Sequence, residues 1–136
     1  MRWTHFTLPL SNFQDSIAFF TEQCKLDVVR DRRPEGGKTV WLGPRPQAGA
    51  NPEFVLVAFE GEVREPLDHF GFQCDTRSEI DGIATRARAN GTLVEGPTDA
   101  GGSVGYFVVV REPSGHHVEF TFGQPLEGLG AKATGH

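Results

Sequence analysis

Residues 67–75 read L-D-H-F-G-F-Q-C-D, and this stretch decides how the chain is interpreted. Side chains alternate between the two faces of a strand, so Phe70 and Phe72 fall on one face and His69 on the other. The phenylalanines suit a hydrophobic core, and His69 is therefore predicted to point away from that core in the middle of a strand. Such a histidine needs an explanation from the rest of the sequence.

An internal repeat in the sequence explains part of the position of His69. His69-Phe70 repeats His5-Phe6 at an offset of 64 residues, and at the same offset Thr76 replaces Asn12 as a helix N-cap. In both copies a strand is followed by a helix and then by three more strands. The duplication predicts two modules of the same strand–helix–strand–strand–strand order.

The predicted elements follow from periodicity and from turn residues. Helices are predicted from residue 13 to about 25 and from residue 77 to 90. Strands are predicted over residues 2–9, 26–33, 38–43, 53–59, 92–95, 104–111 and 116–122, in addition to the one within 67–75. We assign residues 1–60 to the first module, 61–123 to the second and 124–136 to a flexible tail.

Composition limits the class of protein. The chain has 136 residues, 38% of them hydrophobic, and a formal net charge of -5. Arg30, Arg32 and Arg33 are the one basic cluster, which we interpret as a solvated strand end, so no nucleic-acid partner is expected. No apolar run approaches the roughly 20 residues of a membrane span, and the N-terminus lacks the apolar core of a signal peptide, which predicts no membrane association and a cytoplasmic location. Cys24 and Cys74 fit no metal or redox spacing and are expected to be reduced and partly buried.

Three potential metal ligands are each predicted to lie on the strand face that points away from the core. His5 lies on the same strand face as Thr7, His69 lies opposite its phenylalanines, and Glu119 shares a face with His117. Each residue alone is more often an ordinary surface or hydrogen-bonded residue. If the two modules curve around one cleft, however, His5, His69 and Glu119 converge. Two imidazoles and a carboxylate suit an open site for Zn, Fe, Mn, Co or Ni.

Three motifs resemble the vicinal oxygen chelate superfamily, which includes glyoxalase I, fosfomycin-resistance enzymes, extradiol dioxygenases and bleomycin-binding proteins. They are T-H-F-T-L-P-L (4–10), D-H-F-G-F-Q (68–73) and E-P-S-G-H-H-V-E-F (112–120). The last is similar to the family signature D-P-x-G-x-x-x-E, with Glu112 in place of Asp. The resemblance implies an α+β fold in which paired βαβββ modules form a cupped mixed sheet around a central cleft, with helices on the outer face. It also implies a homodimer and a metal site at His5, His69 and Glu119.

Departures from the family pattern bear on the reaction. Val57 stands where glyoxalase I has a further metal ligand, and Val109 stands where extradiol dioxygenases have an acid–base tyrosine. Tyr106, the only tyrosine, is three residues away on the opposite strand face. Gly101-Gly102 stands near the position of the cysteine pair of carbon–arsenic lyases, and residues 98–104 lack the potassium loop of the fosfomycin-resistance enzymes. One fold serves many chemistries, so these differences leave lyase, isomerase and dioxygenase reactions open.

The sequence therefore supports two hypotheses. The first is an enzyme in which one divalent metal ion binds a small oxygen-chelating substrate. The second is a metal-free protein of the bleomycin-resistance type that sequesters a ligand between Trp3, Trp41 and neighbouring aromatics. No catalytic base is identified, and it stays open whether each cleft is formed by one chain or by two swapped chains. Candidates for contact with the substrate or for support of the ligands are Thr7, Trp41, Gln73, Tyr106 and His117.

Overall fold

The computed structural model describes residues 5–45, 54–63, 67–101 and 104–123. The elements of the first half are β1 (His5–Leu10), α1 (Phe13–Glu22), β2 (Asp27–Asp31), a single 3-10 turn (Arg33–Glu35), β3 (Thr39–Gly43) and β4 (Val55–Glu60). Those of the second half are β5 (Phe70–Gln73), α2 (Arg77–Asn90), β6 (Leu93–Asp99), β7 (Tyr106–Arg111) and β8 (His117–Phe122). The predictions for Trp3, Gly102 and the tail 124–136 lie outside the described residues.

The two halves have the same topology. The first sheet has the strand order β1-β4-β3-β2 and the second has the order β5-β8-β7-β6. In each sheet the first strand pairs in parallel with the last, and the remaining neighbours are antiparallel. The predicted α+β fold of paired βαβββ modules is confirmed. No helix in the described part of the chain is long and apolar enough to cross a membrane.

The chain divides into two compact units. Unit 1 runs to Leu67 and also takes in Glu112–His116, while unit 2 comprises Asp68–Arg111 and the chain from His117 onward. The predicted boundary between residues 60 and 61 differs from this division. The main difference is the turn between β7 and β8, which joins unit 1 although both of its flanking strands belong to unit 2.

The sheet of unit 1 has one buried face. Alternate residues of its strands are buried, and α1 buries a stripe of aromatic and aliphatic side chains at helical spacing. These side chains are Leu8, Leu10, Val40, Leu42, Leu56 and Ala58 from the sheet and Phe13, Ile17 and Phe20 from the helix. Strand alternation places His5, Thr7 and Trp41 on the other face of this sheet.

In unit 2 the helix packs directly on the sheet. Contacts join α2 to β6, β7 and β8, and the buried side of α2 presents isoleucine and alanine side chains. The sheet residues on the helix side include Val108, Val110, Val118 and Phe120, and the Phe72 ring stacks on Phe120 at 5.8 Å. Residues at odd positions of β8, among them Glu119, therefore occupy the face opposite α2.

The sequence predicted the start of α2 correctly but not the end of α1. For α2 the predicted cap is confirmed, because the Thr76 side chain accepts a hydrogen bond from the Glu79 N–H at 3.2 Å. The prediction that α1 reaches about Lys25 is wrong, since α1 ends at Glu22. Lys25 has a left-handed backbone (φ 59°), and the N–H of Leu26 bonds back to Phe20, which closes the helix early.

The prediction that His69 lies in mid-strand is also wrong. The ladder between β5 and β8 begins at the Phe70–Val118 pair, so His69 immediately precedes the strand. The predicted alternation still holds from Phe70 onward. His69 therefore stands at the entrance to β5.

Strand β6 is longer than the predicted 92–95, because it continues through Gly96-Pro97 to Asp99. Two register irregularities interrupt its pairing with β7. Gly96 has a positive φ of 87°, and a Cβ there would lie 2.7 Å from the Phe107 carbonyl oxygen. Glycine at this position thus permits the strand to continue past a proline that is ordinarily a strand breaker.

Candidate functional site

The clearest pairing of predicted ligands is in unit 2. The Nε2 atom of His69 lies 3.8 Å from Oε2 of Glu119. The His69 side chain is 43% exposed and that of Glu119 is 17% exposed, so the pair is open to small molecules from solvent. An imidazole and a carboxylate at this separation form an ion pair when the imidazole is protonated, and are two potential ligands when it is not.

Asp68 orients this histidine. Its Oδ2 atom lies 2.5 Å from Nδ1 of His69. When His69 is neutral, Nδ1–H donates to Asp68, and the lone pair on Nε2 is left on the side of Glu119. Metal-binding histidines commonly have such a carboxylate partner on the second ring nitrogen. Sequence reasoning missed Asp68, although its position directly before His69 is a usable signal.

Gly71 lies against the backbone of Glu119. The two residues are direct partners in the β5–β8 ladder. A Cβ on Gly71 would lie 3.0 Å from the Glu119 carbonyl oxygen and 3.4 Å from Oε2. The backbone of Gly71 has no positive φ, so the space beside Glu119 rather than backbone conformation explains glycine here.

The other candidates in unit 2 separate into two groups. Gln73 is exposed and pairs with Thr121 in the ladder, and His117 is the first residue of β8, so both share the Glu119 face by alternation. Val109 is the ladder partner of Glu119 and is buried, which places the residue that replaces the dioxygenase tyrosine beside the carboxylate.

Tyr106 belongs to the opposite face. Its hydroxyl hydrogen-bonds the Asp81 carboxylate on α2, and the Arg77 guanidinium lies 3.9 Å from the centre of its ring. The hydrogen bond to Asp81 raises the pKa of Tyr106, and the neighbouring Arg77 opposes that rise. These contacts hold the tyrosine on the helix side of the sheet, away from the face that carries Glu119.

In unit 1 the candidates form a row across four strands. Thr7 pairs with Val57, Val57 with Trp41, and Trp41 with Arg30, so all four share one face of the sheet. His5 lies on this face two residues before Thr7 and pairs with Val55. Val57, the position of the further glyoxalase I ligand, is thus beside Thr7 and supplies an apolar surface.

A buried polar cluster around the signature motif was not predicted. Glu112 is 1% exposed and accepts hydrogen bonds from the Ser16 hydroxyl at 2.5 Å and the His116 N–H at 2.9 Å. Ser114 Oγ lies 2.6 Å from Ser16 Oγ and accepts from the Asn12 N–H at 2.9 Å. The motif therefore fastens its own turn to the start of α1, which is a structural role.

Potential metal ligands are distributed over both units. His5 belongs to unit 1, and His69 and Glu119 belong to unit 2. Within the described ranges no three His, Cys, Asp or Glu side chains are grouped closely enough to form a complete metal site. The His69–Glu119 pair, with Asp68 beside His69, is the part of the predicted ligand set that lies within one unit.

Two modules of this topology, each with its polar residues on the sheet face away from the core, define the class of protein. The model of the Glyoxalase/Bleomycin resistance protein/Dioxygenase superfamily matches residues 2–120. The chain belongs to this superfamily, and the predicted resemblance is confirmed.

Individual relatives are consistent with that assignment. The chain is 35% identical over 135 residues to the uncharacterised protein PA2024 of Pseudomonas aeruginosa, covering 96% of this chain and 94% of the relative. A possible glyoxalase from Bacillus cereus has a TM-score of 0.67 at 24% identity, covering 89% of this chain and 98% of that one. The fosfomycin resistance protein FosX of Listeria monocytogenes has a TM-score of 0.67 at 17% identity, covering 91% of each chain. These structural likenesses establish the fold.

Proposed function

We propose that this protein is an enzyme in which His5, His69 and Glu119 hold one divalent metal ion that binds two adjacent oxygens of a small substrate. The observation that carries the proposal is the pair formed by His69 and Glu119. Their Nε2 and Oε2 atoms are 3.8 Å apart, and the other imidazole nitrogen is engaged by Asp68. This arrangement supports the proposal, because metal-binding histidines commonly have a carboxylate on the second ring nitrogen.

The residues present fit a metal ion. Bonds from zinc to histidine nitrogen and carboxylate oxygen are about 2.0–2.2 Å, so two of them can span the separation of Nε2 and Oε2. His5 is the third proposed ligand because it occupies the position of His69 in the first copy of the repeat. The set of two imidazoles and a carboxylate suits Zn, Fe, Mn, Co or Ni.

When bound, such an ion supplies Lewis-acid polarisation of the substrate oxygens. The chain supplies the surroundings. The Thr7 hydroxyl and the Gln73 amide are the proposed hydrogen-bonding groups for substrate, with His117 on the same face as Glu119. Val57 adds no ligand and leaves an apolar wall beside Thr7. Three protein ligands, rather than a fuller set, leave coordination positions for two substrate oxygens.

The reaction is the less specific part of the proposal. Val109, next to Glu119, has no proton to exchange, so a dioxygenase reaction here needs an acid–base group other than the usual tyrosine. Lyase and isomerase reactions need a general base to take a proton from the substrate, and we assign no residue to that role. We also propose a homodimer, because this superfamily commonly builds its sites in dimers, and sedimentation analysis of the purified protein tests it.

Metal content tests the proposal directly. Protein purified without chelator is incubated with Fe, Mn, Co, Ni and Zn, desalted and analysed for bound metal. We expect about one ion per chain for at least one metal, and loss of that ion in His5→Ala, His69→Ala and Glu119→Gln. Glu95→Gln is the matched control, since Glu95 is an exposed carboxylate on β6 of the same sheet. A wild-type protein that retains none of the five metals contradicts the proposal.

A substrate screen then separates the reactions. Oxygen consumption by an anaerobically prepared Fe(II) protein with catechols tests dioxygenase activity, and a dialdehyde–thiol screen tests lyase activity. The alternative, a metal-free sequestering protein, predicts tight ligand binding that is unchanged by chelator and by His69→Ala. Metal-independent binding of that kind would favour the alternative over the enzyme.

A further inference from the structure

The arginines of unit 1 differ in their partners. The structure describes four of them, and three have a carboxylate within ion-pair distance: Arg33 with Asp31 at 2.6 Å, Arg45 with Asp27 at 2.7 Å and Arg32 with Glu35 at 3.5 Å. Arg30 is the fourth. Among the described residues it has no carboxylate partner, and its guanidinium lies 5.0 Å from the centre of the Trp41 ring.

An irregularity in the register of the β2–β3 ladder places Arg30 beside Trp41. The β2–β3 ladder pairs Val28 with Leu42 and then, after a shift at residue 29, Arg30 with Trp41. An uninterrupted ladder would instead pair Arg30 with Val40, which is fully buried. The irregularity therefore turns a charged side chain from the core face to the face that carries Trp41. Bulges that re-aim one side chain are common beside functional sites.

Arg30 shares that face with His5 and Thr7. The row Thr7–Val57–Trp41–Arg30 crosses the sheet, and three strand spacings of about 4.8 Å separate the backbones at its ends by about 14 Å. The guanidinium leans back over Trp41, which shortens this span. Between the ends lie the Val57 side chain and the Trp41 ring, which form an apolar floor.

We propose that Arg30 and Trp41 form the far end of the substrate site and bind an anionic oxyacid group, a carboxylate or a phosphate. Stacking on an aromatic ring orients the guanidinium plane and leaves its N–H groups for a planar or tetrahedral anion. The substrate class is then an elongated anion: two adjacent oxygens at the metal, an apolar middle over Val57 and Trp41, and a negative group at Arg30. This assignment rests on the proposed metal-dependent function.

Two probes that differ in one charged group test it. Zinc-loaded protein is titrated calorimetrically with 3-(3,4-dihydroxyphenyl)propionate and with 4-propylcatechol, which has the same chelating head and no carboxylate. We expect the wild type to bind the acid about five- to tenfold more tightly than the neutral probe. Arg30→Gln should abolish this preference by weakening the binding of the acid more than that of 4-propylcatechol, and Arg30→Lys should keep part of it.

Arg45→Gln is the matched control, because it removes one positive charge from an exposed arginine of the same unit. Thermal unfolding of each variant establishes that it is folded. A preference that is absent in the wild type, or that Arg45→Gln reduces as much as Arg30→Gln does, overturns the proposal. Competition by acetate or by inorganic phosphate at matched ionic strength then distinguishes a carboxylate site from a phosphate site.

The two proposals fail in different ways. If the neutral probe binds only the metal-loaded protein and Arg30→Gln changes nothing, the metal site stands and the assignment of Arg30 is wrong. If each probe binds the metal-free protein as tightly as the metal-loaded protein, while the preference for the acid still depends on Arg30, the anion site stands and the metal-dependent function is wrong. If neither probe binds the zinc-loaded protein, the assignment of Arg30 is contradicted, and the metal analysis decides the metal-dependent function separately.

Discussion

Gly71 and Glu119 face each other across the β5–β8 ladder, and a Cβ on Gly71 would approach Glu119 Oε2 to 3.4 Å and its carbonyl oxygen to 3.0 Å. Because the tighter of these two approaches is to the backbone carbonyl, Gly71→Ala should shift the β5–β8 ladder locally and move the Glu119 side chain with it. We expect the affinity for the divalent ion to fall about tenfold, with a loss of about 1 kcal/mol in the free energy of unfolding. Competitive metal titration and urea denaturation measure the two effects.

The same substitution at Gly82 is the control. Gly82 lies within α2, and a Cβ there meets nothing within 4 Å. Alanine in a helix interior is more favourable than glycine by about 0.5–1 kcal/mol, so Gly82→Ala should stabilise the protein and leave metal affinity unchanged. Equal metal affinity in the two variants would show that the space beside Glu119 is irrelevant to the ligand pair.

Asp68→Ala tests how His69 is positioned. Removing the carboxylate frees Nδ1, so the imidazole has to select its tautomer and orientation when it binds metal. Supporting carboxylates are typically worth 10- to 100-fold in metal affinity. Because the Asp68 side chain is 95% exposed, we expect about three- to tenfold here. Glu62→Ala, which removes an exposed carboxylate elsewhere, is the control in the same titration and should have no effect.

The buried Glu112 should matter for stability rather than for metal binding. Glu112→Ala leaves the Ser16 hydroxyl and the His116 N–H without their acceptor in a buried place, which costs about 2–4 kcal/mol of unfolding free energy. Glu112→Gln keeps an acceptor oxygen and should cost less. Exposed Glu60 at the end of β4 is the comparison, and Glu60→Ala should change stability by less than about 0.5 kcal/mol. Urea unfolding curves measure all three.

Periodicity and capping predicted most of the fold, because these signals are local. The spacing of apolar residues located both helices, Thr76 located the start of α2, and the repeat at 64 residues predicted two modules with the same order of helix and strands along the chain. The end of α1 was missed because Lys25 adopts a left-handed backbone, which sequence associates with glycine. The extension of β6 was missed because Gly96-Pro97 resembles a turn.

The candidate site could be predicted only in part, because it depends on contacts between residues that are far apart in the sequence. Alternation placed His69 and Glu119 away from the core. Their approach to 3.8 Å, however, depends on the parallel register of β5 with β8, which pairs residues far apart in the chain. The space at Gly71 follows from the same register. Arg30 was interpreted as a solvated charge because the irregularity at residue 29, which moves it onto the Trp41 row, has no signature in the sequence.

The Asp31–Arg33 pair predicts a stability change in acid. Hydrogen bonds from Arg33 lower the pKa of Asp31 from 3.8 to about 2. A carboxyl whose pKa is lower in the folded than in the unfolded state stabilises the fold above its unfolded pKa, and this contribution is lost as the pH falls from about 4 to about 2. The difference in unfolding midpoint between the wild type and Asp31→Asn should accordingly be constant above pH 5 and shrink in that window. In Arg33→Gln, carboxyl carbon NMR should show Asp31 titrating near its ordinary pKa, and an unchanged titration would contradict the assignment.

Cys74 should be an unreactive thiol at neutral pH. Burial, followed by the nearby carboxylate of Glu79, raises its pKa from 9.0 to about 11. Because the thiolate is the reactive form, alkylation by iodoacetamide in a Cys24→Ser background should be slow at pH 7.5 and rise about tenfold per pH unit up to pH 9.5 without levelling. Glu79→Gln should make the rate level at lower pH, by a smaller amount than burial contributes. Mass spectrometry of the modified peptide measures the rate, and a plateau near pH 9 in the folded protein would show that neither burial nor Glu79 perturbs this thiol.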